Sequence, residues 1–136
     1  MQNENKSFEK FDVTLISKGN IFELNESIVF SFTVKNISDT TVRFCDYHTP
    51  FEGIANEIFK VKRDGKQLDY QGILKKRLPP EDKNYTKLNP GKSTACTFKI
   101  NQSYLIDKKG LYTIQFIGNH AINGLTDSNE FTFTIK

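Results

Sequence analysis

The chain has no tryptophan, one methionine, two cysteines, two histidines and four prolines in 136 residues. Each scarcity removes an explanation. Without Trp, the Cys-Trp-Cys signature of true immunoglobulin domains cannot be built. His48 and His120 stand far apart in sequence, whereas zinc hydrolysis needs at least three ligands and a base, commonly two His one helical turn apart beside a Glu. There is no glycine-flanked serine elbow and no phosphate-cradling glycine loop, and strand geometry does not aim His48 at the Cys45 sulfur. No uncharged apolar run is long enough to cross a bilayer. Neither catalysis, nor a cofactor, nor a resident metal is expected.

Charge is similarly uninformative about polyanions. Nineteen basic against sixteen acidic residues give +3, and the charges are scattered. A nucleic-acid binder concentrates Lys and Arg on one stripe with aromatic residues between them; here only Lys75-Lys76-Arg77 forms a compact basic cluster. No nucleic-acid partner is expected. Residues 1–8 read as a polar leader with no apolar signal core, and 9–136 as one domain, because this length supports a single core. The leader suits cytosolic material or a tether left by a trimmed signal, and the reading leans toward a secreted or envelope form.

What the chain does have is period-two alternation. Seven strands are expected around Phe11-Val13-Leu15, Ile28-Phe30-Phe32-Val34, Val42-Phe44, Phe59-Val61, Cys96-Phe98-Ile100, Tyr112-Ile114-Phe116 and Phe131-Phe133-Ile135. The skipped residues are mostly polar, as when one face meets water. Asp64-Gly65 fits a tight hairpin turn and Pro90-Gly91 the centre of a type II turn. Ser103 to Asp107 has the composition for one helical turn. The predicted fold is an all-β, immunoglobulin- or fibronectin-like antiparallel sandwich of about seven strands. A monomer is expected, although an exposed edge strand could support a dimer.

The alternation also sorts the cysteines. Cys45 falls out of phase with Phe44 and is expected to be partly exposed, open to a partner's metal only as a minor reading. Cys96 is in phase with Phe98 and Ile100 and is expected in the core. Residues on opposite faces do not bring sulfurs together, so two free thiols are predicted.

The order of turns and strands from 48 to 118 carries a further signal. It runs His48-Thr49-Pro50-Phe51-Glu52-Gly53, Tyr70-Gln71-Gly72, Lys76-Arg77 with Pro79-Pro80, and Leu88-Asn89-Pro90-Gly91-Lys92-Ser93. This order resembles the non-catalytic amino-terminal domain of peptidyl-lysine metalloendopeptidases of the deuterolysin (aspzincin) family. In those enzymes the domain precedes the protease and is removed on maturation. The resemblance stops where their zinc domain would begin, and implies a stand-alone module acting in trans on a zinc metalloprotease as inhibitor or immunity-like partner. The small intracellular proteinase inhibitor of bacilli is similar in layout with fewer shared residues. The alternative is an accessory or adhesive module that binds a protein or glycan without inhibition.

Two surfaces are candidates for contact. Leu74, Lys75, Lys76, Arg77, Pro79 and Pro80 form a loop in which proline fixes φ and lowers the entropy lost on docking; the resemblance implies that Lys75 or Lys76 enters an acidic pocket. The bland reading is a solvated connection. The second surface is the turn bearing His48, Phe51 and Glu52, which Pro50 and Gly53 would display at one end of the sandwich. There the bland reading is that Phe51 caps the core and His48 bonds locally. Residues 120–129 make a long connection, in which Ile122 and Leu125 are exposed unless they fold back, and Asp127 and Asn129 lack the pattern of a calcium loop.

Overall fold

The computed structural model describes residues 9–136, so the polar leader lies outside them. Its strands are β1 (Phe11–Ser17), β2 (Ile21–Phe22), β3 (Val29–Asn36), β4 (Val42–Cys45), β5 (Phe59–Arg63), β6 (Lys66–Gln67), β7 (Tyr85–Leu88), β8 (Ser93–Lys99), β9 (Gly110–Phe116) and β10 (Phe131–Ile135). All seven expected strands are there. β6 is the return arm of the Asp64-Gly65 hairpin, whose turn residues take φ of 50° and 83°. β2 and β7 are too short or too mixed in composition for alternation to mark them.

One sheet has the order β1-β3-β8 and the other β2-β10-β9-β5-β6, with β4-β7 as a separate ribbon. Pairing is antiparallel except where β2 runs parallel to β10. Val13, Leu15, Phe30, Phe32 and Val34 line the inner face of the first sheet, and Val61, Tyr112, Ile114, Phe116 and Phe133 that of the second, all buried. Rings interlock between the layers: Phe32 lies 4.8 Å from Phe116 and Phe98 4.9 Å from Phe59, centroid to centroid. Such pairs add to area burial, and the result is the expected immunoglobulin-like antiparallel sandwich.

The ribbon is the feature that positions the candidate site. The chain running β3 to β4 lies against the chain running β7 to β8, and this antiparallel pair turns a corner at Asn36. Asn36 is fully buried. Its Nδ2 donates to Thr40 O and Leu88 O, both at 2.8 Å, and its Oδ1 accepts from Ser38 N. Where the strand ladder breaks, this one side chain satisfies the backbone groups the break exposes. Opposite it, Asn89 to Lys92 form the expected turn, with Lys92 N donating to Asn89 O at 3.0 Å and Gly91 at φ 78°.

Two expectations are corrected. The helical turn is a 3-10 turn at Ile100–Gln102, upstream of Ser103 to Asp107. The predicted residues are instead drawn inward: Tyr104 is buried, with its hydroxyl donating to Phe59 O at 2.9 Å. The cysteines also exchange environments. Cys45 is fully buried, because residues 118–129 fold back beside β4 and Asn123 O accepts from Cys45 N at 3.2 Å. Cys96 is only half-buried, because β8 is an edge strand. Both thiols are free. In the same connection Leu125 is buried while Ile122 stays 36% exposed. Asp127 accepts from Gly118 N and Asn129 bonds Leu15, so both are occupied in holding backbone.

Candidate functional site

β4 delivers the chain to a corner at residues 46–53. Thr49 is buried; its hydroxyl donates to Asp46 O at 2.7 Å and accepts from Phe51 N at 3.1 Å. Pro50 then opens a short 3-10 turn, Pro50–Glu52. His48 sits in the left-handed region at φ 58°, a conformation that costs a non-glycine residue energy and persists only where its surroundings impose it. Two contacts do so: Glu52 Oε2 accepts from His48 N at 2.7 Å, and Asn123 Nδ2 donates to His48 O at 3.1 Å. Asn123 also reaches Tyr47 O at 3.3 Å.

Of the expected turn residues, Phe51 packs on the core, 5.6 Å from both Phe32 and Phe44. Glu52 is spent on structure, its side chain only 10% exposed. His48 remains half-buried at the rim.

The loop at 71–80 lies alongside. Gln71 N donates to Ser103 O at 2.8 Å and Lys75 N to Ala55 O at 3.0 Å, while Asn56 Nδ2 donates to Lys75 O at 3.3 Å. The Arg77 guanidinium forms an ion pair with the Glu52 carboxylate and stands 5.3 Å from the centre of the Tyr47 ring. Charge assistance and partial burial strengthen such a pair beyond an exposed one. Around the Lys75 and Arg77 anchors Leu74 and Leu78 are 75% and 82% exposed, and Lys75, Lys76, Pro79 and Pro80 are exposed as well. The two expected surfaces are therefore neighbours, joined by Glu52 and Arg77.

Between them runs a groove of about 570 Å³ whose lining includes Tyr47, His48, Leu78, Pro79, Tyr85 and Ile122. Tyr47 and Tyr85 escaped the sequence reading, and Ile122 was expected only as an exposed residue of the 120–129 connection, not as part of this surface. Tyr47 carried a signal, as the immediate neighbour of His48; Tyr85 and Ile122 enter only through the ribbon corner and the folded-back connection. Burial raises the Asp46 carboxyl above its usual range, opposed by the hydrogen bond from Thr86. Burial likewise raises the thiols of both Cys45 and Cys96, the latter to about 11. Neither thiol carries the lowered pKa of a reactive cysteine. Among the described residues no group of three or more His, Cys, Asp or Glu is placed to hold a metal, and no helix is long and apolar enough to cross a membrane.

No family model matches the chain. It is 30% identical over 92 residues, 68% of its length, to an extracellular protease of Aeromonas hydrophila, and that match spans 26% of the protease. Among solved structures it is similar to the CARDB domain of a Pyrococcus furiosus protein, at 14% identity and TM-score 0.45, covering 93% of this chain and 94% of that one. It is also similar to part of a mutant β-glucosidase from Listeria innocua solved with laminaribiose, at 16% identity and TM-score 0.46, covering 95% of this chain and 16% of that one. Structural likeness this loose carries no argument about function.

Proposed function

We propose that the chain is a protein-binding module without a reaction centre of its own, which engages a protease through the joined surface of the 46–53 corner and the 71–80 loop. The observation that carries this reading is the pair of anchors around Lys76. The Lys75 backbone is tied to Ala55 and Asn56, and the Arg77 side chain to Glu52. Lys76 lies between these ties with apolar Leu74 and Leu78 outside them, all exposed. A segment held in this way loses little conformational entropy on docking, which raises affinity without added contacts. Its chemistry fits a cleft with an acidic pocket and apolar walls.

The identity shared with an extracellular protease supports a protease as partner, and the resemblance to the peptidyl-lysine metalloendopeptidase domain supports a zinc enzyme that prefers lysine. On this reading the module inhibits in trans. The test is titration of the purified chain into a lysine-directed zinc metalloprotease while peptide hydrolysis is followed. Inhibition is expected, and Lys75→Ala with Lys76→Ala should remove most of it while leaving the Arg77 anchor in place. An unchanged rate at excess module sinks the inhibitor reading. Binding without inhibition moves the protein to the accessory class.

A further inference from the structure

The sheet β1-β3-β8 has two edges that are finished differently. In the β3-β8 ladder, Ile100 N donates to Ile28 O at 3.1 Å and Asn36 N to Lys92 O at 2.9 Å. In the register that pairs Phe30 with Phe98 and Phe32 with Cys96, the even-numbered residues of β8 therefore turn their N–H and C=O toward β3. The backbone groups of Ser93, Ala95, Thr97 and Lys99 point away from the sheet, and no strand lies beyond them among the described residues.

The opposite edge is closed at Leu15. Asn129 Oδ1 accepts from Leu15 N at 2.8 Å and its Nδ2 donates to Leu15 O at 2.9 Å. Phe11, Val13 and Leu15 of β1 are buried, whereas Thr94, Cys96 and Phe98 of β8 are only half-buried. From Ser93 to Phe98 there is no proline, no bulge and no charge, so three of the devices that usually blunt an edge strand are missing along that stretch.

We propose that β8 pairs antiparallel with β8 of a second copy of this chain, about a two-fold axis at Cys96. The direction of the free backbone groups restricts the register to odd residues facing odd ones. Of the two-fold registers this allows, the one centred on Cys96, the midpoint of Ser93–Lys99, pairs β8 along its whole length, with Ala95 facing Thr97 of the second copy and Ser93 facing Lys99. Charge favours the same arrangement: Lys99 meets Ser93 and Lys92 meets Ile100, whereas an in-register parallel pairing would set Lys99 beside Lys99. On the inner face Phe98 falls opposite Thr94 of the second copy, and Cys96 opposite Cys96. The edge is its own complement, as an isologous contact requires.

Sedimentation equilibrium of the full chain at concentrations up to about 1 mM, where contacts weaker than a standard interface still form, should show a monomer–dimer equilibrium. Ala95→Pro removes an outward N–H that the β3 ladder does not use, a position where an edge strand tolerates proline. It should weaken the dimer about tenfold or more, because both copies lose a bond. Thr97→Lys, which sets two lysines diagonally across the axis, should weaken it too and covers a failure of the proline variant to fold. A directly opposed, non-hydrogen-bonded pair has its Cα atoms about 4.5 Å apart, within disulfide reach. Copper-phenanthroline should therefore cross-link the wild type and spare Cys96→Ser. A monomer at every concentration, a dimer indifferent to both edge variants, or a dimer that resists cross-linking would overturn the proposal.

Discussion

The 46–53 corner and the 71–80 loop lie side by side, but they are held in different ways. In the corner, side chains satisfy backbone groups at nearly every step: Thr49 serves Asp46 and Phe51, Glu52 serves His48, and Asn123 serves Tyr47 and His48. The loop is fixed at isolated points, Gln71, Lys75 and Arg77, with exposed side chains between them. Buried polar groups are costly to leave unpaired. The corner must therefore break as a unit, whereas the loop can be released locally. A binding surface built from both has one rigid wall and one wall whose freedom is set by a few ties.

The sharpest way to break that contrast is to remove the corner's outside support. Asn123 is 2% exposed; it donates to two corner carbonyls and accepts from Asn119 N at 3.2 Å and Leu125 N at 2.9 Å. Asn123→Ala should cost about 3 kcal/mol in denaturant unfolding, because buried partners are left without bonds. A loss under about 1 kcal/mol, the net worth of a typical hydrogen bond, would mean that the corner supports itself.

Thr49→Val comes next and tests the corner from within. The hydroxyl's two hydrogen bonds vanish while the volume is kept, and about 2 kcal/mol should be lost. The aromatic core of the sandwich is unaffected, so near-ultraviolet signals from the buried tyrosines should persist below the transition.

The contrast also explains what was legible in the sequence. Strands such as β3 and β9 announce themselves because alternate residues meet either core or water, so their pattern is the packing written out in order. The loop was legible as an exposed basic segment with two prolines for the same reason. The corner was not, since its order comes from residues far away in sequence: Asn123 lies 75 positions from His48, and no periodicity links them. Cys45 was misjudged for that reason too. Its phase along β4 was read correctly, but its cover is supplied by residues 118–129. Asn36 likewise closes the corner of the ribbon by reaching Leu88, 52 positions away.

Glu52→Gln cuts the one ionic tie between the two walls while keeping an acceptor for His48 N. The expected loss of global stability is small, about 1 kcal/mol, but the loop should respond out of proportion. Trypsin cleavage at Lys75, Lys76 or Arg77 under native conditions should accelerate relative to cleavage at Lys60 or Lys62 in β5. Equal acceleration at both places would show that the ion pair contributes to global stability and not to the order of the loop.

The smallest effect belongs to Asp46, where burial raises the carboxyl and the Thr86 hydroxyl partly offsets it. A group whose folded pKa lies above its unfolded value holds its proton more firmly in the folded state. Its contribution is full below the unfolded value and is lost as pH rises through the folded one. Asp46→Asn keeps an acceptor for Thr86 and removes the charge. The variant should therefore gain on the wild type as pH rises through and above the ordinary Asp range, and the two should converge in acid. The same substitution removes a charge that helps hold the Cys96 thiol near 11, so alkylation of Cys96 at a fixed alkaline pH should become faster. A stability gap that widens in acid, or unchanged Cys96 alkylation, would mean that the Asp46 carboxylate is better solvated than its place between β4 and Thr86 implies.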